Sequence, residues 1–224
     1  MVELLNFEKK YGKRLILKSD EICFEKGRIS FLMAPNGAGK TTLLKCITAL
    51  ERYDGEIRIS GEKNTDHLRE CLVIWDDCPF FNDLSGLKNL LILSEDKMNK
   101  SRIKQLALKS FNEELLNRRV KTYSYGQRKK LALILAEILN PSLLIMDEIS
   151  NGLDLDSMFD LQDRLRELSA ADRTIILTGH QLGFYEKIYD DLYLIKDCKL
   201  VKADPSKEKS LEEVYCEEIH HDRA

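Results

Sequence analysis

Three short runs of residues in this sequence carry side chains suited to phosphate chemistry. The first is Ala34-Pro35-Asn36-Gly37-Ala38-Gly39-Lys40-Thr41-Thr42. It follows the apolar run Ile29–Met33 and precedes Leu43, Leu44, Ile47 and Leu50 at helical spacing. A glycine-rich turn between a strand and a helix lets successive backbone N–H groups converge on phosphate oxygens, and the helix adds its positive end. Lys40 is placed to reach the β- and γ-phosphates of a nucleotide, and the Thr41 hydroxyl to hold Mg²⁺. The residues expected to bind are Asn36, Gly37, Ala38, Gly39, Lys40, Thr41 and Thr42. The strict pattern asks for glycine where Ala34 stands. If that position needs a positive φ, alanine costs about 1 kcal/mol.

The second run is Leu143-Leu144-Ile145-Met146-Asp147-Glu148. Four apolar residues of the buried-strand type deliver two adjacent carboxylates. In a phosphate-loop enzyme Asp147 would hold Mg²⁺ through water, and Glu148 would act as general base on the attacking water. An isolated Asp-Glu pair would read as a helix cap or turn. At the end of such a strand it reads as chemistry. The third run is Tyr123-Ser124-Tyr125-Gly126-Gln127, followed by Arg128-Lys129-Lys130. A serine cap with free N–H groups behind it can bind an anion.

Together these runs resemble the nucleotide-binding subunits of ATP-binding cassette (ABC) transporters, over about Val2 to Lys202. Ser124, Gly126 and Gln127 match the family signature, usually Leu-Ser-Gly-Gly-Gln, whereas Tyr123 and Tyr125 depart from it. The resemblance implies that this helix end faces the γ-phosphate of ATP held by a second subunit. It implies that Tyr11 stacks on adenine, that Gly152-Leu153-Asp154 crosses the dimer interface, and that His180 senses the γ-phosphate and positions the water. Catalysis is then expected from Glu148, His180 and Lys40. The family places a glutamine where Asp76 stands. Aspartate is a hard oxygen ligand, so Thr41, Asp76 and Asp147 form the expected Mg²⁺ set. An aspartate there is shorter and negative, which predicts slower hydrolysis than with glutamine.

These groups need a scaffold of alternating strands and helices. Short strands are expected at Glu3–Phe7, Arg14–Lys18, Glu21–Phe24 and Glu56–Ser60, with turns at Tyr11-Gly12, Asp54-Gly55 and Ser60-Gly61. A helix from Ser124 to Leu139 stops before Asn140-Pro141. Another carries Leu155, Met158, Leu161, Leu165 and Leu168 on one side, and Thr174–Leu177 is a further buried strand. Asp191 begins the next strand and reads as structural. The fold expected is α/β: a P-loop NTPase core with a mostly parallel sheet, an N-terminal antiparallel β subdomain and a small inserted helical subdomain. The whole chain, 1–224, reads as one domain. Its core spans about 1–83 and 122–202, the helical lobe about 84–121, and a charged tail about 203–224. Phe80 and Phe81 either line a groove for a membrane subunit or pack inside the lobe.

Composition narrows the functional classes. A formal net charge of −3 argues against a broad nucleic-acid surface. No apolar run approaches a membrane helix, and the N-terminus lacks the layout of a secretion signal, so a cytoplasmic location is expected, peripheral on a membrane subunit. The six cysteines show no C-x-x-C pair and read as reduced, packed thiols. The expected partners are an integral membrane transporter subunit and a second copy of the chain or a paralogous ATPase, with no nucleic acid. The short lobe, single domain and His180-Gln181 pair lean toward small exporter-type ATPases. A soluble ABC ATPase of an assembly complex, as in iron–sulfur assembly, is the alternative. The gap from Thr42 to Ser124 is too short for the coiled coil of the DNA-repair ATPases, and one cassette is too few for the translation factors. His220-His221 with Cys216 has a metal-like spacing but belongs to a frayed tail.

Overall fold

The computed structural model describes residues 1–224 apart from Pro79, Asp96, Ala171, 205–208 and 221–224. His221 and the side chain of His220 lie outside the described residues.

In chain order, β1 (Val2–Tyr11) and β2 (Arg14–Phe24) form a hairpin, and β3 (Ile29–Met33) runs through the glycine loop into α1 (Lys40–Ile47). A second hairpin, β4 (Asp54–Ile59) and β5 (Glu62–Lys63), leads to β6 (Cys71–Ile74). Three helices follow: α2 (Gly86–Leu93), α3 (Lys100–Ala107) and α4 (Glu113–Asn117). Then come α5 (Tyr125–Leu139), β7 (Leu143–Met146), α6 (Leu155–Ala170) and β8 (Thr174–Thr178). The chain finishes with α7 (Leu182–Tyr185), β9 (Asp191–Lys196), β10 (Lys199–Ala203) and α8 (Leu211–Tyr215).

Local chemistry sets the helix ends. Ser85, Asn99, Asn112 and Ser124 each accept a backbone N–H from the first turn of the helix they precede. At α5 the cap is reciprocal, because Gln127 reaches back to the Ser124 N–H. Asn140 ends α5 in the left-handed region (φ 50°), directly before Pro141.

Among the described residues all ten strands join one sheet, in the order β5-β4-β1-β2-β10-β9-β3-β8-β7-β6. The β6, β7, β8, β3 and β9 ladders are parallel, and β1, β2, β4 and β5 pair antiparallel. The antiparallel part continues the core sheet through the Lys199–Lys18 pairing of β10 and β2. Two expectations change in detail. The strands expected at Arg14–Lys18 and Glu21–Phe24 are one continuous strand, because pairing with β1 runs from Arg14 to Phe24. Asp54-Gly55 lies inside β4, where Gly55 (φ 92°) leaves no room for a Cβ against the Asn6 carbonyl.

β3 is buried on both faces, as parallel strands usually are. Ile29, Phe31 and Met33 face α5 and α6 with Leu144, Met146, Ile175 and Leu177. Leu32 packs on the other side with Leu43, Leu44, Cys46 and Ile47 of α1. The helix ends earlier than the apolar spacing implied, and Leu50 is 66% exposed. A third cluster joins Leu90, Ile103, Leu116 and Val120 to Leu131, Ile134, Leu135 and Ile138 of α5. α5 is therefore covered on two sides, by the sheet and by the lobe helices. Tyr123 belongs to this lobe core, its ring tilted against Phe111 and its hydroxyl donating to the Leu115 carbonyl at 2.6 Å. Phe80 also packs there, whereas Phe81 is 52% exposed.

Candidate functional site

The parallel order β3-β8-β7-β6 puts the carboxyl ends of four neighbouring strands on one edge of the sheet. That edge is where open α/β sheets bind ligands. β3 delivers the glycine loop, β8 delivers Gly179 and His180, β7 delivers Asp147 and Glu148, and β6 delivers Asp76. At about 4.8 Å per strand, β6 lies about 14 Å from β3, the farthest of the four from the strand that carries the glycine loop.

A cleft of about 360 Å³ is lined by Tyr11, Arg14, Ile16, Pro35, Asn36, Gly37, Gly39, Lys40, Thr41, Thr42, Asp147 and Glu148. Gly37 (φ 78°) and Gly39 (φ 109°) hold the left-handed conformations that turn N–H groups inward. Ala34 adopts no such conformation, so the conditional strain attached to it does not arise. Its carbonyl instead accepts from Lys40 Nζ at 2.8 Å, and that of Pro35 at 3.4 Å. Burial lowers the Lys40 ammonium from its ordinary pKa, against the pull of Glu148 and Asp147.

Asp147 is 9% exposed. Its Oδ2 accepts from Thr41 Oγ1 at 3.4 Å, and its Oδ1 from Thr178 Oγ1. The hydroxyl and carboxylate form a pair of hard oxygen donors of the kind Mg²⁺ takes. The donor set therefore fits that ion at Thr41 and Asp147. Asp76 faces elsewhere: its Oδ1 is 3.4 Å from Lys129 Nζ, and it is outside the cleft wall.

Glu148 sits in the left-handed region (φ 55°). For a residue with a Cβ that costs about 1–3 kcal/mol and is typical of active sites. Its N–H donates to the Thr178 carbonyl at 3.1 Å. Its Oε1 is 3.1 Å from His180 Nε2, and its Oε2 is buried without a hydrogen-bond partner. The His180 side chain is 45% exposed and that of Glu148 16%. Gly179, between Thr178 and His180, has no space for a Cβ, which would meet the Tyr185 hydroxyl. Tyr185 stacks on Phe31 and donates to the Thr178 carbonyl at 2.7 Å.

Tyr11 forms one wall of the cleft and is 48% exposed. Its hydroxyl donates to Glu51 at 3.2 Å, and Lys9 Nζ lies 4.5 Å from its ring centroid. The ring is thus fixed on one side and free on the other. Ser124, Gly126 and Gln127 do not line this cleft. They form an accessible helix end beside Leu153 and Ser157, the neighbours of Gly126. Asp154 caps α6, accepting from the Ser157 N–H at 2.8 Å.

Lys129, Thr178, Gly179 and Tyr185 were not singled out from the sequence. Thr178 had a signal, since a hydroxyl follows the apolar strand directly. Lys129 had none, because its burial depends on residues far along the chain.

A glycine loop, a strand-borne carboxylate pair and a histidine on the next strand define a P-loop nucleoside triphosphate hydrolase. The ABC transporter family model matches residues 17–151, and the chain belongs to that family as a nucleotide-binding, ATP-hydrolysing subunit. It is 30% identical over 223 residues to the lantibiotic transport ATP-binding protein SrtF of Streptococcus pyogenes, covering 98% of this chain and 97% of that one. It is 26% identical over 209 residues to the glutamine transport ATP-binding protein GlnQ of Escherichia coli, covering 87% of each. A solved dimeric structure of a bacterial ABC transporter cassette superposes with a TM-score of 0.78 at 21% identity, covering 92% of this chain and all of that one.

Proposed function

We propose that two copies of this ATPase, or this chain and a paralogue, meet head to tail and power a membrane transporter. One observation carries this reading. The cleft gathers the loop, Tyr11, Asp147 and Glu148, while the capped end of α5 with Ser124, Gly126 and Gln127 belongs to a separate exposed surface. Each chain then holds half of two composite sites.

In this reading the adenine lies on the free face of Tyr11, and the loop N–H groups and Lys40 hold the phosphates. Thr41 and Asp147 would hold Mg²⁺, which would supply neutralisation of phosphate charge. Glu148 takes the proton of the attacking water. His180 fixes the Glu148 carboxylate and faces the γ-phosphate. The other subunit supplies Ser124, Gly126 and Gln127 to the γ-phosphate, and Asp154 follows across the interface. The dimer closes on ATP and opens after hydrolysis, because that contact is lost.

No helix among the described residues is long and apolar enough to cross a membrane. In this reading a separate integral membrane subunit forms the path, with this chain on its cytoplasmic face, as the likeness to a transport ATP-binding protein over nearly its whole length supports. Export is the proposed direction, supported by the short lobe and by 29% identity over 206 residues to the Nod factor export ATP-binding protein I of Burkholderia orbicola. Purifying the full chain with candidate membrane subunits tests the reading. A stable complex with substrate-stimulated ATPase is expected. A soluble partner alone would favour an assembly complex.

A further inference from the structure

The ammonium of Lys129 lies where α5, the end of β6 and the loop after β7 meet. Its side chain is 1% exposed, although it stands two residues after the accessible end of α5. Nζ donates to the Glu148 carbonyl at 2.7 Å and to the Asn151 carbonyl at 2.8 Å. The third partner is Asp76 Oδ1 at 3.4 Å. An ammonium has three protons, and these three acceptors use all of them. The Tyr125 ring lies over the group, with its centroid 5.8 Å from Nζ, and sits beside Gly152.

Glu148 depends on this anchorage more than an ordinary residue would. Its backbone is in the left-handed region, and among the described residues its carboxylate has a single polar partner, His180, itself nearly half exposed. The direction of the carboxylate therefore depends on the main chain as well as on His180. That main chain is tied at its N–H by Thr178 and at its carbonyl by Lys129.

We infer that Lys129 is a positioning residue for ATP hydrolysis: its buried ammonium holds the main chain that aims Glu148, and Asp76 supplies its counter-charge. A buried ammonium without a counter-charge is costly, so Asp76 and Lys129 act as a unit. Asp76 follows β6 at the entry to the lobe, so the pair also ties lobe placement to the setting of Glu148. The inference rests on the reading of Glu148 as the base.

The test uses the full chain and measures kcat, the KM for ATP and thermal unfolding for Lys129→Gln, Lys129→Arg, Asp76→Asn, the double variant Asp76→Asn/Lys129→Gln, and Glu148→Gln. Lys129→Gln is expected to lower kcat about tenfold or more with KM changed less than about twofold. Lys129→Arg is expected to recover much of the loss. Asp76→Asn is expected to lower kcat about threefold alone and to add nothing in the Lys129→Gln background. Full kcat in Lys129→Gln, or losses that multiply in the double variant, would overturn the inference. If Lys129→Gln does not fold, Asp76→Asn decides, because its side chain is 44% exposed; an unchanged kcat there overturns the pairing. Loss of turnover in Glu148→Gln beside full turnover in Lys129→Gln defeats only this inference, whereas normal turnover in Glu148→Gln defeats the underlying reading.

Discussion

His180 Nε2 lies 3.1 Å from Glu148 Oε1, bridging the ends of adjacent strands β8 and β7. The contact is the only one made by either oxygen of that carboxylate among the described residues. A carboxylate held by a single flexible partner loses its aim when that partner goes. His180→Ala is therefore expected to lower kcat about 100-fold, the usual scale for a misdirected general base, while ATP still binds. Nucleotide titration beside steady-state kinetics checks this. A KM effect without a kcat effect would place His180 in binding instead.

Tyr11 offers one free ring face to the cleft, with Lys9 on the other and Glu51 on the hydroxyl. Stacking of a base on such a ring is worth about 1–3 kcal/mol. Tyr11→Ala should raise the KM for ATP about tenfold, at the low end of that range, with little change in kcat. Tyr11→Phe keeps the ring and should stay close to wild type. Measuring both variants separates stacking from the hydrogen bond.

Asp191 is 5% exposed and is bonded by Arg28 at 2.5 and 3.0 Å and by Lys202 at 2.8 Å. Burial pushes its carboxyl pKa up, but Arg28 and Lys202 together outweigh burial and hold it below the ordinary 3.8. A depressed folded pKa contributes stability that is present above the unfolded value and lost as pH falls through the folded one. Asp191→Asn should cost about 2 kcal/mol at neutral pH, typical of hydrogen bonds to a charged group. It should also flatten the acid loss of stability below about pH 4. Chemical denaturation at neutral and acid pH tests both parts.

The site was legible where its residues are contiguous. Asn36 to Thr42, Asp147-Glu148 and Ser124 to Gln127 each combine a local turn or cap with a strand or helix pattern, so short windows reveal them. What escaped depends on contacts between distant positions. Lys129 meets Asp76 across 53 positions and Glu148 across 19, and nothing in Arg128-Lys129-Lys130 marks the middle lysine as buried. Asp76 and Tyr125, read as two separate departures from the family pattern, meet at that one ammonium. Gly179 looks permissive in sequence, yet Tyr185 six residues on leaves no room for a Cβ there. The fold was legible in its buried strands, and β3 and β7 have the expected bounds. The continuity of β2 was not, because it comes from pairing with β1.

The placement of Asp76 also changes an expectation. Slower hydrolysis than with glutamine followed from a negative charge beside the γ-phosphate. With Asp76 on Lys129, Asp76→Gln removes a counter-charge from a buried ammonium. We now expect this variant to turn over about threefold more slowly than wild type, by the same coupling logic as for Asp76→Asn. Steady-state ATPase in the complete complex decides between the two directions.

The central claim is that Glu148 activates water in a site completed by a second subunit. Glu148→Gln tests it most directly, with size-exclusion chromatography and ATPase measured on one preparation. An ATP-dependent shift from monomer to a stable dimer is expected, with loss of turnover by about 100-fold or more, the scale of a lost general base. Normal turnover would contradict the role of Glu148, and lost turnover with a strictly monomeric ATP-bound chain would contradict the composite site.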